Sequence, residues 1–155
     1  MADNSPDIAH VIAPPPLIYA LPLLAGLLLH HYYPQAIVPP AWAQILGPLV
    51  VVLGFFGLPA VLAFRRAGTH PQPWKPTTAL VVTGPYRFSR NPMYVGFTLF
   101  YLGISVWVNS LWPLLLLPLV LVVMSRGVIA REERYLERRF GDDYRAYRAR
   151  VRRWL

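Results

Sequence analysis

Two long uncharged stretches dominate the pattern of hydrophobic and polar positions. The chain contains no Asp, Glu, Lys or Arg from Ile8 to Phe64, and none from Asn91 to Ser125. Each stretch exceeds the roughly 20 residues that one helix needs to cross a bilayer, so each must contain a break. The segment Pro34 to Pro40 breaks the first stretch, and Asn109-Ser110 followed by Leu111-Trp112-Pro113 breaks the second.

These breaks predict four membrane-spanning helices, at about residues 14–33, 42–64, 92–108 and 111–126. The last two form a tight helical hairpin, because Asn or Ser can cap a helix start and Pro is tolerated in its first turn. The predicted fold is an all-α integral membrane protein, one membrane domain over residues 1–155 with amphipathic helices at its C-terminal end. Composition agrees, since 55% of residues are hydrophobic and 14% are charged, against about 25% charged in soluble domains.

The net charge of +8 lies in one loop and one tail. Residues 65–90 carry five Lys or Arg and no acid, and residues 126–155 carry ten Arg against five acids. Because basic segments beside spans stay in the cytoplasm, both termini and any active site built from these segments are predicted to face the cytoplasm. The N-terminus lacks the basic region of a signal peptide, so we expect the first span to be retained. The absence of Cys excludes disulfides and thiolate metal sites.

The tail, residues 127–155, has the pattern of amphipathic helices. Ile129, Leu136 and Phe140 form an apolar stripe at helical spacing, and Glu132 and Glu133 lie beside it. A carboxylate beside an apolar stripe is costly unless a cation or hydrogen-bond donors pair with it. The two acids are therefore candidates for ligand binding as well as for simple pairing with Arg residues one turn away.

A second helix is predicted to follow the first along this tail. Gly141 suits the left-handed position after a helix end, and Asp142 can cap the next helix. That helix places Tyr144, Tyr147, Val151 and Leu155 on one side and most of its Arg residues elsewhere, as in a basic helix lying on a membrane. We expect these Arg residues to attract anionic lipid rather than nucleic acid, because they alternate with acids beside a membrane.

The loop between the second and third spans, residues 67–91, is too long for a simple connection. Its apolar stretch from Thr78 to Thr83 ends at a turn forced by Gly84-Pro85. Asn91 is predicted to cap the third span, and Pro92 suits its first turn. With Arg90 beside it, the positive end of that helix could attract an anion such as a carboxylate.

Two motifs in this chain resemble a known family. TALVVTGPYRFSRNPMYVG (78–96) and EERYLERRFGDDYRAYRARV (132–151) are similar to segments of the isoprenylcysteine carboxyl methyltransferase family and its phospholipid methyltransferase relatives. Family members are integral membrane enzymes that use S-adenosylmethionine, and yield S-adenosylhomocysteine, without a metal. From this resemblance and the position of the two acids, the predicted cofactor-binding residues are Thr78, Ala79, Leu80, Val81, Tyr86, Arg90, Asn91, Pro92, Met93, Tyr94, Glu132 and Glu133.

The chain departs from the family pattern at two positions. Asn91 replaces the more familiar His, so a proton transfer assigned to that His does not carry over. Prenylcysteine-methylating relatives have a substrate-contacting Arg where this chain has Val128. Arg126 or Arg131 could substitute for it from a nearby turn, and Arg126 is the predicted substrate-binding residue.

The resemblance implies an S-adenosylmethionine-dependent methyltransferase whose acceptor is lipophilic and comes from the bilayer. The acceptor group is left open among a carboxylate, phenol, thiol and amine; the last three would need a base, for which Tyr94, Glu133 and His70 are candidates. No catalytic residue and no metal ligand is predicted. Two alternatives stay open: an NADPH-dependent membrane reductase, and a non-catalytic accessory protein that keeps the fold.

Overall fold

The computed structural model of this protein describes residues 8–155, and residues 1–7, including the N-terminus predicted to be cytoplasmic, lie outside that range. All regular secondary structure in the described part is helical and none of it is strand, as the all-α prediction requires. A short 3₁₀ turn links the second helix to the third, and a π-helical segment, Met124–Ile129, links the fifth to the sixth. The helices are α1 Pro15–Tyr32, α2 Pro40–Gly54, α3 Leu58–Arg66, α4 Pro92–Trp107, α5 Leu111–Val123 and α6 Ala130–Arg150.

The helix boundaries follow the proline pattern. α1, α2 and α4 each begin at a proline, where the missing N–H costs nothing and the fixed φ suits a helix. The predicted caps, however, are wrong. Asn91 and Ser110 precede α4 and α5, but neither side chain makes a capping hydrogen bond. Asn91 instead donates to the Arg153 carbonyl (2.8 Å), while Asn109 bonds to backbone groups of the 34–40 loop.

The close partners of α4 and α5 are the earlier helices. The turn between them is short, as expected of a hairpin, but α4 packs mainly on α2 and α5 packs mainly on α1. Glycines explain the α2–α4 pairing: a Cβ on Gly103 would lie 2.6 Å from the Val51 nitrogen, and one on Gly47 would lie 2.4 Å from the Trp107 Cα. The two backbones therefore touch, as in small-residue crossings of membrane helices.

Contacts at the two ends of the helical body show how the chain runs. At one end, Trp112 Nε1 donates to the Tyr33 carbonyl (2.6 Å). At the other end, the Ile12 amide donates to the Gly127 carbonyl (3.3 Å), and Arg131 donates to the His10 carbonyl (2.8 Å). The chain thus runs through the body four times, and the basic loop and α6 lie at the same end as the first described residues.

The outer surface of the helices is strongly apolar. Two continuous helical stretches, Pro40–Arg66 and Leu111–Arg150, contain a segment long and apolar enough to cross a membrane, and α4 is a shorter apolar helix. Large side chains such as Leu21, Leu24 and Val52 are more than 60% exposed. Apolar exposure on this scale is rare on soluble monomers, so we describe the chain as a membrane protein. The crossing of the bilayer by all four predicted spans stays a prediction.

The tail departs from its predicted placement. Gly141 has φ 52° and interrupts the helical geometry of α6, which confirms the predicted break. Asp142 does not cap the second part of α6; its carboxylate accepts hydrogen bonds from Arg145. The predicted lipid-facing side is also wrong, because Tyr144 and Tyr147 are buried against Ala60, Val81 and Tyr86. This side of α6 packs against apolar residues of the loop and α3, and not against lipid.

Gly103→Ala should lower the stability of the protein, because its new methyl group must push apart two touching backbones. We expect a loss of about 1–3 kcal/mol, measured as a lower midpoint of thermal unfolding in detergent. Gly57→Ala is the matched control, since a Cβ there would meet its nearest atom at an ordinary 3.5 Å. Equal midpoints for the two variants would contradict the backbone contact.

Candidate functional site

A cleft lies between the 67–91 loop, the start of α4 and the face of α6. Its empty space is about 780 Å³, including the part open to solvent. Thr78 and Pro92 do not line it: Thr78 bonds to Thr69 and Gly68 at the loop base, and Pro92 begins α4. The structure brings together the other ten predicted cofactor-binding residues, namely Ala79, Leu80, Val81, Tyr86, Arg90, Asn91, Met93, Tyr94, Glu132 and Glu133.

The loop is held over the cleft by tyrosines of α6. Gly84, at φ 62°, starts the 3₁₀ turn Gly84–Arg87 that turns Tyr86 inward. The Tyr147 hydroxyl donates to the Tyr86 carbonyl (2.8 Å). The Tyr135 hydroxyl accepts from the Thr77 amide (3.0 Å) at the other end of the apolar stretch. Loop and helix therefore form one unit, although 58 or more residues separate each bonded pair.

Several lining residues were not predicted for the site. The sequence pattern places Leu136 in the apolar stripe, and Tyr144 and Tyr147 on a membrane-facing side. A helical projection that places these residues on the same face as Glu132 could have identified them as lining residues. The contribution of Phe64 and of the 71–73 segment has no counterpart in the sequence pattern. The unpredicted lining residues are Ala9, Phe64, Pro71, Gln72, Pro73, Thr77, Tyr135, Leu136, Tyr144 and Tyr147.

Glu132 has no cationic partner within the described part of the chain. Its carboxylate accepts one hydrogen bond, from the Tyr94 hydroxyl of α4 at 2.6 Å, and no Lys or Arg nitrogen forms an ion pair with it. Burial raises the pKa of Glu132 to about 7; the Tyr94 bond opposes that shift, and the neighbouring Glu133 charge adds to it. This carboxylate therefore favours a ligand that brings a positive charge.

Glu133, the next residue, is fully paired. Arg90 Nη2 lies 3.0 Å from its Oε1, while Arg153 donates from Nε to Oε1 (3.1 Å) and from Nη2 to Oε2. Both oxygens of Glu133 are thus engaged by arginines. Although Glu133 lines the cleft as predicted, its geometry fits an anchor for Arg90 better than a direct ligand contact or a base.

The cleft also holds donors without acceptors. Arg90 Nε and Nη1 and the Tyr86 hydroxyl are buried, and none of them has a hydrogen-bond partner among residues 8–155. Burial also raises the pKa of Tyr86 and of Tyr147, and raises that of Tyr144 to about 12, so these phenols remain protonated at neutral pH. Buried donors without acceptors are unusual in folded proteins, so these groups favour the binding of an anionic or polar ligand.

The cleft consequently suits a zwitterionic amino-acid group. Among residues 8–155, the Glu132 carboxylate has no cation beside it to compete with an ammonium group, and the Arg90 and Tyr86 donors have no acceptor to compete with a carboxylate. Phe64, Leu80 and Val81 provide apolar walls. The methionine part of S-adenosylmethionine has this ammonium and carboxylate, so the residues present fit that cofactor. In the described range no group of three or more His, Cys, Asp or Glu side chains is placed to hold a metal ion.

A second, almost wholly apolar pocket of about 490 Å³ adjoins the cleft. It lies between the start of α1, α3, α4 and the loop. Met93, Tyr94 and the segment Pro71-Gln72-Pro73 line both spaces. Arg126, the predicted substrate-binding residue, is exposed and lines neither space, and Val128 is buried in the helical core.

Comparison with known families shows which family this chain belongs to. The family model described as phospholipid methyltransferase matches residues 42–143, about two thirds of the chain. The chain belongs to the phospholipid methyltransferase family. The match includes the loop, α4 and the first part of α6, which are the elements that build the cleft.

Individual proteins are similar to parts of the chain, and one of them has a methyltransferase name. A protein-S-isoprenylcysteine O-methyltransferase of Schizosaccharomyces pombe is 40% identical over 72 residues, which are 46% of this chain and 30% of that protein. The cobalt-zinc-cadmium resistance protein CzcN of Cupriavidus metallidurans is 31% identical over 94 residues, 61% of this chain and 44% of that protein. The match therefore spans less than half the length of these two relatives.

An uncharacterized Haemophilus influenzae protein is 41% identical over 63 residues, which are 41% of this chain and the whole of that protein. No solved structure matches the chain.

Glu132→Gln should stabilise the ligand-free protein above neutral pH. Because the pKa of Glu132 rises from 4.5 to about 7 on folding, the folded state keeps a proton that the unfolded state has lost between those values. Wild-type stability must therefore fall as pH rises through that window. At pH 8 we expect the free energy of unfolding of the variant to exceed that of the wild type by about 1–3 kcal/mol. This range is the free energy of the full pKa shift, reduced for partial screening by solvent.

Thermal unfolding at pH 5, 6, 7 and 8 measures this difference. Glu137→Gln on the same helix is the control, because its carboxylate pairs with Arg148 at the surface. Wild-type and Glu132→Gln curves that stay parallel over this pH range would contradict the raised pKa.

Proposed function

We propose that this protein is an S-adenosylmethionine-dependent methyltransferase acting at the membrane on a lipophilic small molecule or lipid-like acceptor. The observation that carries the proposal is that one cleft contains both the Glu132 carboxylate, which has no cationic partner among residues 8–155, and two Arg90 N–H groups, which have no acceptor there. Membership of the phospholipid methyltransferase family supports it. The Schizosaccharomyces pombe relative, described as an O-methyltransferase, supports it further.

Different residues of the cleft bind different groups of the cofactor. Glu132 receives the ammonium group, and Arg90 with the Tyr86 hydroxyl receives the carboxylate. Phe64, Leu80 and the rings of α6 provide apolar surface for the rest of the molecule. When bound, S-adenosylmethionine supplies a methyl group on a sulfonium, which is transferred by in-line displacement. The protein then has to align the acceptor and exclude water.

The apolar pocket beside the cleft is the proposed position of the acceptor. Its walls, including Val61, Phe97 and Pro16, offer few polar groups, which suits a hydrocarbon chain. Because Met93 and Tyr94 line both spaces, a group held in the pocket lies next to the cofactor cleft. Helices with apolar outer faces surround it, so the acceptor reaches the site from the bilayer.

The need for a base depends on the acceptor. A carboxylate acceptor needs none, whereas a phenol, thiol or amine must lose a proton. Of the predicted candidates, His70 lines the cleft, whereas Tyr94 already donates its proton to Glu132 and could accept another only after passing that proton to the carboxylate. Glu133 is a poorer base because arginines hold both of its oxygens.

Orientation and lipid contacts complete the proposal. The cleft, the basic loop and the Arg-rich tail lie at one end of the helical body, and we place that end in the cytoplasm by the charge rule. Exposed Arg residues of the tail then meet anionic lipid headgroups.

Binding of S-adenosylhomocysteine tests the cofactor assignment. We expect micromolar affinity for the detergent-purified protein in calorimetric titration, and a loss of at least tenfold in Glu132→Gln. Affinity of the wild type should also rise about tenfold from pH 6 to pH 8, because the carboxyl must ionise through a pKa of about 7 to pair with the ammonium. The variant should lack this pH dependence.

Glu137→Gln is the control for loss of an acid from α6, and NADPH is the control ligand. NADPH binding in place of S-adenosylhomocysteine would favour the reductase alternative. Folded wild-type protein that binds neither ligand would favour the accessory protein.

Val61→Trp should block the acceptor pocket while leaving the cofactor cleft intact. The larger side chain fills space that Val61 lines in the pocket, and Val61 does not line the cleft. Once an acceptor has been found by screening, we expect kcat/KM for it to fall at least tenfold, with the Kd for S-adenosylhomocysteine unchanged. Leu62→Trp, on the exposed neighbouring position, is the control; equal losses in both variants would contradict the assignment of the pocket.

A further inference from the structure

The segment that follows α6, Val151 to Trp154, lies across the start of α4. The Arg90 amide donates to the Arg152 carbonyl (2.9 Å), and Asn91 Nδ2 donates to the Arg153 carbonyl (2.8 Å). Trp154 packs against the core cluster that includes Tyr94. The segment therefore binds the residues directly before α4, Arg90 and Asn91, from which the Arg90 side chain enters the cleft.

Arg153 extends this connection through its side chain. Its guanidinium holds both oxygens of Glu133, and Glu133 in turn holds Arg90 Nη2 at 3.0 Å. The Arg153 side chain is 37% exposed, whereas the side chains of Glu133 and Arg90 are only 9% and 10% exposed. An ion-pair chain thus runs from the protein surface to a buried cation in the cleft.

The geometry of this chain determines which donors Arg90 keeps. A carboxylate that meets a single guanidinium commonly takes two of its N–H groups in a bidentate pair. Because Arg153 already makes a two-pronged contact, Glu133 takes only Nη2 of Arg90, and Nε and Nη1 stay buried without partners among the described residues. Arg153 also compensates the charge of Glu133, which would otherwise leave Arg90 as its sole cation.

We propose that Arg153 is a positioning residue: by holding Glu133, it keeps two N–H groups of Arg90 free for the carboxylate of the bound cofactor. This inference rests on the proposed function, in which Arg90 receives that carboxylate. Asn91 serves the same arrangement, because its side chain fixes the backbone of Arg153. Glu133 then acts through Arg90 and does not itself contact the cofactor.

Two ligands separate this role from a general structural one. S-adenosylhomocysteine carries the carboxylate, and its decarboxylated analogue keeps the ammonium and the adenosine but lacks the carboxylate. In calorimetric titration, Arg153→Gln should raise the Kd for S-adenosylhomocysteine about tenfold and leave the Kd for the analogue unchanged. Arg152→Gln is the matched control: it removes the same charge from an exposed neighbour and should change neither Kd.

Arg153→Lys gives a second comparison if the Gln variant unfolds. Lysine keeps the charge but lacks the planar guanidinium that binds both carboxylate oxygens. The Lys variant should therefore raise the Kd for S-adenosylhomocysteine less than the Gln variant does, and should again leave the Kd for the analogue unchanged. Equal weakening of both ligands, or no weakening of either, would overturn the positioning role. If wild-type protein binds neither ligand, the proposed function fails first and the inference falls with it; wild-type binding with no effect of Arg153 refutes the inference alone.

Discussion

The backbone contact between α2 and α4 is the constraint on which the rest of the structure depends. Glycines on both helices let the chains approach until a single methyl group would collide with backbone atoms. The contact extends to Gly96, where a Cβ would lie 2.8 Å from the Gly54 carbonyl oxygen. Gly96 is two residues beyond Tyr94, so the same crossing fixes the start of α4, and with it Arg90, against α3 and the loop. Precision in the cleft thus comes from packing within the helical body.

Two adjacent acids meet opposite environments at that cleft. Glu133 points into a set of arginines that satisfy both its oxygens, whereas Glu132 has one phenol and no cation among the described residues. One helix therefore supplies both a stable ionic anchor and an uncompensated charge. This division of labour agrees with functional sites in general, where burial without a partner shifts a pKa toward neutrality.

The sequence alone predicts the helices well and their partners poorly. Charge-free stretches and prolines place the outer ends of the helical stretches to within a few residues, and Gly141 marks the break in α6, because these features act locally. The division of the second predicted span into α2 and α3 at Phe55–Gly57 was not predicted. The packing of α4 on α2 depends on glycines that face one another across two distant segments, which no single stretch reveals. The Asn91 cap failed for a similar reason: Asn91 Nδ2 donates to a carbonyl 62 residues away, and this bond holds the side chain in an orientation in which its oxygen does not cap the helix.

Candidate site residues show the same division. Motif residues such as Tyr86, Arg90 and Glu132 do line one cleft, whereas the roles of the two acids depend on Arg153, whose side chain comes from 20 residues further along the chain. Tyr144 and Tyr147 were expected to face lipid because amphipathicity gives the direction of an apolar side but not its partner. The partner is the protein's own loop.

The uncompensated charge of Glu132 has a consequence for the protein inside a cell. The buried carboxylate lowers the stability of the free protein above neutral pH, and a ligand that brings an ammonium group would raise that stability on binding. Opened copies are the ones that proteases degrade. Under the proposed function, the number of surviving copies in a membrane would then follow the supply of S-adenosylmethionine, and the abundance of the protein would itself report the methyl donor available to the cell.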